Sequence, residues 1–279
     1  MVRIFAALLL VLTLSGCSTT FVYNNLDWLV HWYIDDYVEL NKAQKKQFDH
    51  KMQDWLKWHR HQQLPRYRDD LVALKQQFEQ GQMTQTQWQE FFSRVRGHWY
   101  SLINHLGPDL AELSLQLNDQ QIKDMFATFE EQQKEREEER NELDEQERLE
   151  KSRENLHEDM QEWTGRLSAE QKAQLNEWAE GFAPTYELRL KYRRNWQQAA
   201  MDSLLGRVDT KAWRDTFTLL LVRPQDYQSD ALREADLANR EYYARMLAEL
   251  TPGLSDKQKR HVLREMQQRI DDLNDLIEH

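Results

Sequence analysis

The sequence predicts an all-α chain: a multi-helix body of about nine or ten helices, with a long charged connecting helix and no sheet. Three observations carry this. Apolar residues recur three and four apart, the spacing of one helical face. Gln, Glu, Leu, Arg, Lys and Ala dominate, with only 8 glycines and 5 prolines in 279 residues. No run of four or more residues alternates apolar and polar with β-branched side chains, as a half-buried strand requires.

In chain order, the first helical signal is aromatic. Leu26, Trp28, Leu29, Val30, Trp32, Tyr33 and Ile34 surround a helix on nearly all sides. Such a helix is buried or lies against lipid, and burial is the expectation. Asp27, Asp35 and Asp36 then need partners, for which Arg60 and Arg66 are candidates. Phe48, Met52, Trp55 and Leu56 make the next stripe, and Trp88, Phe91, Phe92, Val95 and Trp99 another. Leu156, Met160, Trp163 and Leu167 step by four, three and four. Helix stops are expected at Gly81, Gly107-Pro108, Gly181, Gly206, Pro224 and Pro252-Gly253.

Helix starts carry a repeated signature. Leu40-Asn41-x-x-Gln44, Met83-Thr84-x-x-Gln87, Leu117-Asn118-x-x-Gln121, Leu167-Ser168-x-x-Gln171 and Leu254-Ser255-x-x-Gln258 share one pattern. The cap oxygen takes the N3 amide, and Gln reaches back to the cap's own N–H. Their spacing is too irregular for a solenoid.

Residues 130–159 hold 14 acidic and 6 basic side chains. Two leucines, Leu143 and Leu149, cannot make a buried stripe between Phe129 and Leu156. The tract reads as one long solvated helix, or a helix with a loose middle, supported by Glu130–Lys134 and Glu147–Lys151 pairs. It is also a possible surface for a basic partner or divalent cations. The chain then divides into a leader at 1–16, an aromatic-rich bundle at 17–129, the acidic connector at 130–159 and a second bundle at 160–279.

Arg3, the apolar run Ile4–Leu12 and small residues before Cys17 form a secretory leader, too short to span a membrane. Leu14-Ser15-Gly16-Cys17 resembles the bacterial lipobox. That resemblance implies cleavage between Gly16 and Cys17, a diacylglycerol on the thiol, and a fatty acyl group such as palmitate on the new amine. Such an anchor holds a protein to a membrane without spanning it. Similarity to lipoprotein sorting, with Ser18 rather than Asp, implies a periplasm-facing site on the outer membrane. Cleavage takes the formal charge from −11 to −12 through loss of Arg3. That balance argues against nucleic acid, whose binding neutralises phosphates with Lys and Arg. With Cys17 the sole cysteine, no disulfide is available.

Residues for chemistry are sparse. His59 and His61 sit on different helical faces, and His98 and His105 lie about 10 Å apart along an axis. No H-E-x-x-H, G-x-S-x-G or phosphate loop is present. The expectation is no catalytic residue, no metal and no cofactor beyond the covalent lipid.

Tyr23-Asn24-Asn25-Leu26-Asp27-Trp28-Leu29, Trp32, Asp35-x-Tyr37, Trp58-His59-Arg60, Leu64-Pro65-x-Tyr67 and Trp163-x-Gly165-x-Leu167-x-x-x-Gln171 resemble an uncharacterised proteobacterial lipoprotein family, a domain of unknown function. The resemblance implies a lipobox, a helical body and no established activity. The capping boxes are more distantly similar to the L-T-x-x-Q repeats of helical periplasmic chaperones, although only Thr84 supplies the threonine. Tyr23, Trp28, Trp32, Tyr37, Trp58 and Tyr67 are the candidate interaction or core aromatics. The expected role is a non-catalytic binding or scaffold module for an envelope protein or polypeptide client, and the similarity to the L-T-x-x-Q proteins implies a chaperone-like one. A cell-wall hydrolase or its activator, and a mechanical spacer between membrane and wall, are the rival readings.

Overall fold

The computed structural model describes residues 22–278 apart from 24 and 82. The helices are α1 (Leu26–Asp35), α2 (Lys42–Trp58), α3 (Leu64–Glu79), α4 (Gln85–Ser114), α5 (Asp119–Asn141) and α6 (Glu145–Thr164). They continue as α7 (Ala169–Glu180), α8 (Tyr186–Leu205), α9 (Lys211–Val222), α10 (Asp230–Leu250) and α11 (Asp256–Glu278). A π turn, His59–Gln63, joins α2 to α3 without a break, so ten separate helices and no strand stand among the described residues. The fold is all-α, as predicted. None of these helices is long and apolar enough to cross a membrane.

The starts fall at the polar boxes. Asn41, Thr84, Asn118 and Ser168 each cap reciprocally with the Gln at N3. Ser255 and Gln258 do the same ahead of α11. A sixth box, Leu143-Asp144-x-x-Glu147, uses acidic side chains in both roles.

That box decides the form of the acidic tract. It is two helices, α5 and α6, meeting at a capped turn over 142–144. The tract also packs rather than only bridging. Arg140 lies 4.1 Å over the Tyr186 ring, Arg194 pairs with Glu137 at 2.8 Å, and Arg153 reaches both Glu150 and Glu180. On the solvent side, Lys134 pairs with Glu138 in the next turn.

Gly107-Pro108 does not stop a helix. α4 runs through both residues for 30 residues. Pro108 removes one backbone donor and would weaken an isolated helix by about 3 kcal/mol. Tertiary packing overrides this: a Cβ at Gly107 would lie 2.4 Å from Val222 Cγ1, so the missing side chain lets α9 close on α4.

Three of the four hydrophobic clusters draw on both sides of the 130–159 tract. The largest joins Leu74, Phe78, Met83 and Trp88 to Leu156, Met160, Leu175 and Met266. A second joins Ala111, Ile122 and Phe126 to Ala200, Leu204 and Phe217. In the third, Tyr23, Leu26 and Leu64 meet Leu273 and Leu276 of α11. The flanking segments thus interleave, with α11 packed along α3 and α9 along α4.

Candidate functional site

α1, α2, α4 and α5 leave an apolar groove of about 250 Å3 between them. Tyr33, Tyr37, Phe48, Leu113, Met125 and Phe129 wall it, and no acidic, basic or histidine side chain lines it. Its rim is ordered by hydrogen bonds. Tyr33 Oη donates to Tyr37 Oη at 3.1 Å, and Tyr37 Oη donates to Gln132 Oε1 at 2.9 Å. The Tyr37 and Phe129 rings meet at 5.0 Å.

The π turn after α2 builds a buried polar cluster. Pro65 has no N–H, and in a regular helix its ring would strike the His61 carbonyl. The chain widens here instead, and Leu64 N–H reaches His59 O, five residues back. This carries His59 inward to 7 % exposure. His59 Nδ1 and Tyr23 Oη lie 3.0 Å apart, and the Tyr67 ring meets His59 edge-on at 5.5 Å. Arg60 sits 5.3 Å over Tyr23. Tyr67 also touches the His98 ring at 4.6 Å, and His98 Nε2 lies 2.7 Å from Asp70, which Arg94 also engages.

Burial sets the protonation of this cluster. It pushes His59 down to about 4, so the imidazole is neutral at pH 7. It pushes Tyr23 up to about 12 against the opposing pull of Arg60, and Tyr67 up to about 12 with help from Tyr23. His59 Nε2 and Gln63 Oε1 have no hydrogen-bond partner among the described residues, while Gln63 Nε2 donates to Ser101 at 3.0 Å.

A polar cleft of about 490 Å3 lies where α4 meets α5 and the turn before α9. It holds three carboxylates and two arginines. Arg207 pairs with Asp119 at 2.8 Å, and Arg214 with Glu112 at 2.6 Å and also with Asp209. Among the described residues, no group of three or more His, Cys, Asp or Glu side chains is arranged to hold a metal ion.

The six candidate aromatics separate. Tyr23 and Tyr67 join the buried cluster, Tyr37 walls the groove, and Trp58 stacks on His105 at 3.8 Å. Trp28 and Trp32 are 65 % and 61 % exposed. The expected burial of α1 is therefore corrected: only Leu26 is buried, because this short helix packs through one side alone. Asp35 pairs with Lys45 at 3.1 Å rather than with Arg60 or Arg66. Gly16 and Cys17 lie outside the described residues.

Sequence reasoning missed His59 as a buried residue and missed the groove as a unit. The signal for His59 was Pro65 in an otherwise helical run. The groove had none, since its walls come from four helices.

Residues 36–233 match a family model described as a family of unknown function, DUF6279. The matched stretch contains Tyr37, His59, Tyr67 and the polar cleft, and leaves Tyr23, Trp28, Trp32 and α11 outside. No curated protein and no solved structure matches the chain. With well over half of its 279 residues matched, the chain belongs to the DUF6279 family of unknown function.

Proposed function

We propose that the mature chain is a lipoprotein, acylated at Cys17 and held at the periplasmic face of the outer membrane, whose helical body binds a polypeptide partner without catalysing a reaction. The observation that carries this reading is the groove at Tyr37: apolar, open to solvent and free of charged lining. Its volume of about 250 Å3 falls below the roughly 300–1,000 Å3 of sites that engulf a small-molecule ligand. It suits one or two apolar side chains projecting from a partner, the anchor-in-pocket pattern of protein interfaces. Tyr33 and Tyr37 place hydroxyls at the rim, where a partner's backbone would need polar contacts.

The rival, a cell-wall hydrolase, would use the polar cleft, which three carboxylates line. Each of them is engaged by Arg207 or Arg214, which favours a structural role over acid–base work. Binding of fluorescent peptides carrying leucine or phenylalanine anchors tests the proposal. Ser114→Trp, which fills the groove, is expected to weaken binding at least tenfold. Equal binding by both proteins, or peptidoglycan cleavage lost in Glu112→Gln, would overturn the reading.

A further inference from the structure

We infer that the exposed face of α1 is a membrane-contact surface, with Trp28 and Trp32 seated in the headgroup zone of a zwitterionic bilayer. This rests on the proposed anchor at Cys17. The two indoles are one helical turn apart and project from the same face, each more than half exposed. The opposite side of α1 is fixed to the body through Leu26, which packs with Leu64 and Leu273. The indoles therefore stand on a held platform rather than on a loose segment.

The tether selects the occupant. Leu26 stands nine positions after Cys17, and a fully extended chain spans at most about 3.6 Å per residue, so α1 starts within about 30 Å of the lipid attachment. Among the described residues no other exposed tryptophan pair competes for this place: the remaining exposed large hydrophobics are scattered from Val95 to Leu237. Tryptophan favours the membrane–water interface, where its ring is apolar and its N–H is wet. Charge narrows the lipid. Asp27 and Asp36 are exposed beside the indoles, with Asp35 met by Lys45, so an anionic surface repels this face and a zwitterionic one accepts it.

The experiment uses the full mature protein reconstituted in phosphatidylcholine vesicles whose acyl chains carry bromine, a contact quencher of indole emission. Two of ten tryptophans in contact predict that about a fifth of the emission is quenched. Trp28→Gln with Trp32→Gln abolishes that loss, while circular dichroism stays unchanged because both positions are exposed. Mass spectrometry of the same sample reads acylation of Cys17 separately. Acylated protein with no quenching, or with equal quenching in the double variant, overturns the contact and leaves the anchor standing. Unacylated protein that leaves the vesicles overturns both. Quenching that falls as protein is crowded at fixed lipid assigns the face to a second copy, and quenching that rises with added phosphatidylglycerol contradicts the zwitterionic assignment.

Discussion

Gln44 and Gln121 form a closed pair of amide hydrogen bonds between two helix starts 77 residues apart. Gln44 Nε2 donates to Gln121 Oε1 at 3.1 Å, and Gln121 Nε2 donates to Gln44 Oε1 at 2.9 Å. Each Nε2 also donates to the carbonyl two residues before the other's cap, Gln116 and Glu39. Each Oε1 also accepts from its own cap N–H, so both amides use all four of their bonding positions. Gln171 and Gln258 repeat the arrangement in full, reaching Arg166 and Gly253. The four boxes led by Leu40, Leu117, Leu167 and Leu254 are thus clasps between helices. The Met83 and Leu143 boxes only cap.

The clasp predicts coupling. Gln44→Leu or Gln121→Leu leaves donors and acceptors unmet and costs about 1–3 kcal/mol in urea unfolding. The double variant should cost about 1 kcal/mol less than the sum, since the partners fail together. Gln87→Ala, in an unclasped box, should lose no more than a cap, about 1 kcal/mol. Simple additivity at Gln44 and Gln121 would contradict the geometry.

His59 predicts an acid-side loss of stability. Its folded value of about 4 lies below the ordinary 6.5, so the unfolded chain binds more protons in between. The contribution is complete above pH 6.5 and falls away as pH drops towards 4, by up to about 3 kcal/mol. The groups packed around it are Tyr23, Arg60 and Tyr67, and the two tyrosines stay protonated throughout this range. His59→Gln should flatten that part of the stability curve relative to wild type. Identical curves would show that His59 is not held neutral.

Gly107→Ala sets two effects against each other. Alanine favours a helix interior over glycine by about 1 kcal/mol. The new methyl meets Val222 at 2.4 Å, and overpacking costs about 1–3 kcal/mol. Net destabilisation is expected, relieved when Val222→Ala is combined with it. A stabilised single variant would mean that α9 gives way easily.

Asp144→Ala tests the turn in the acidic tract. Losing the cap should cost about 1 kcal/mol and raise amide exchange at the start of α6. Unchanged exchange there would argue for one continuous helix across 142–144.

The helices and their starts were legible because they are local: a cap, a Gln three residues on and a stripe at helical spacing specify them. Gly107-Pro108 misled because its reason is Val222, more than a hundred residues away. The turn at Asp144 was hidden by Glu147 standing where the other boxes have Gln. Of the site, the strings at Tyr23, His59-Arg60 and Leu64-x-x-Tyr67 were visible separately, and only the fold shows that they meet. Burial of α1 could not be read because aromatics all round a helix do not say which face the body covers.

The most direct measurement places a photo-reactive phenylalanine analogue at Tyr37, in the groove, and at Val208, an exposed position that does not line it, in the full-length protein in its native envelope. The account predicts a discrete polypeptide adduct from Tyr37, lost when Ser114→Trp is added, and none from Val208. Matching adducts from both positions, or none from the groove, would contradict it.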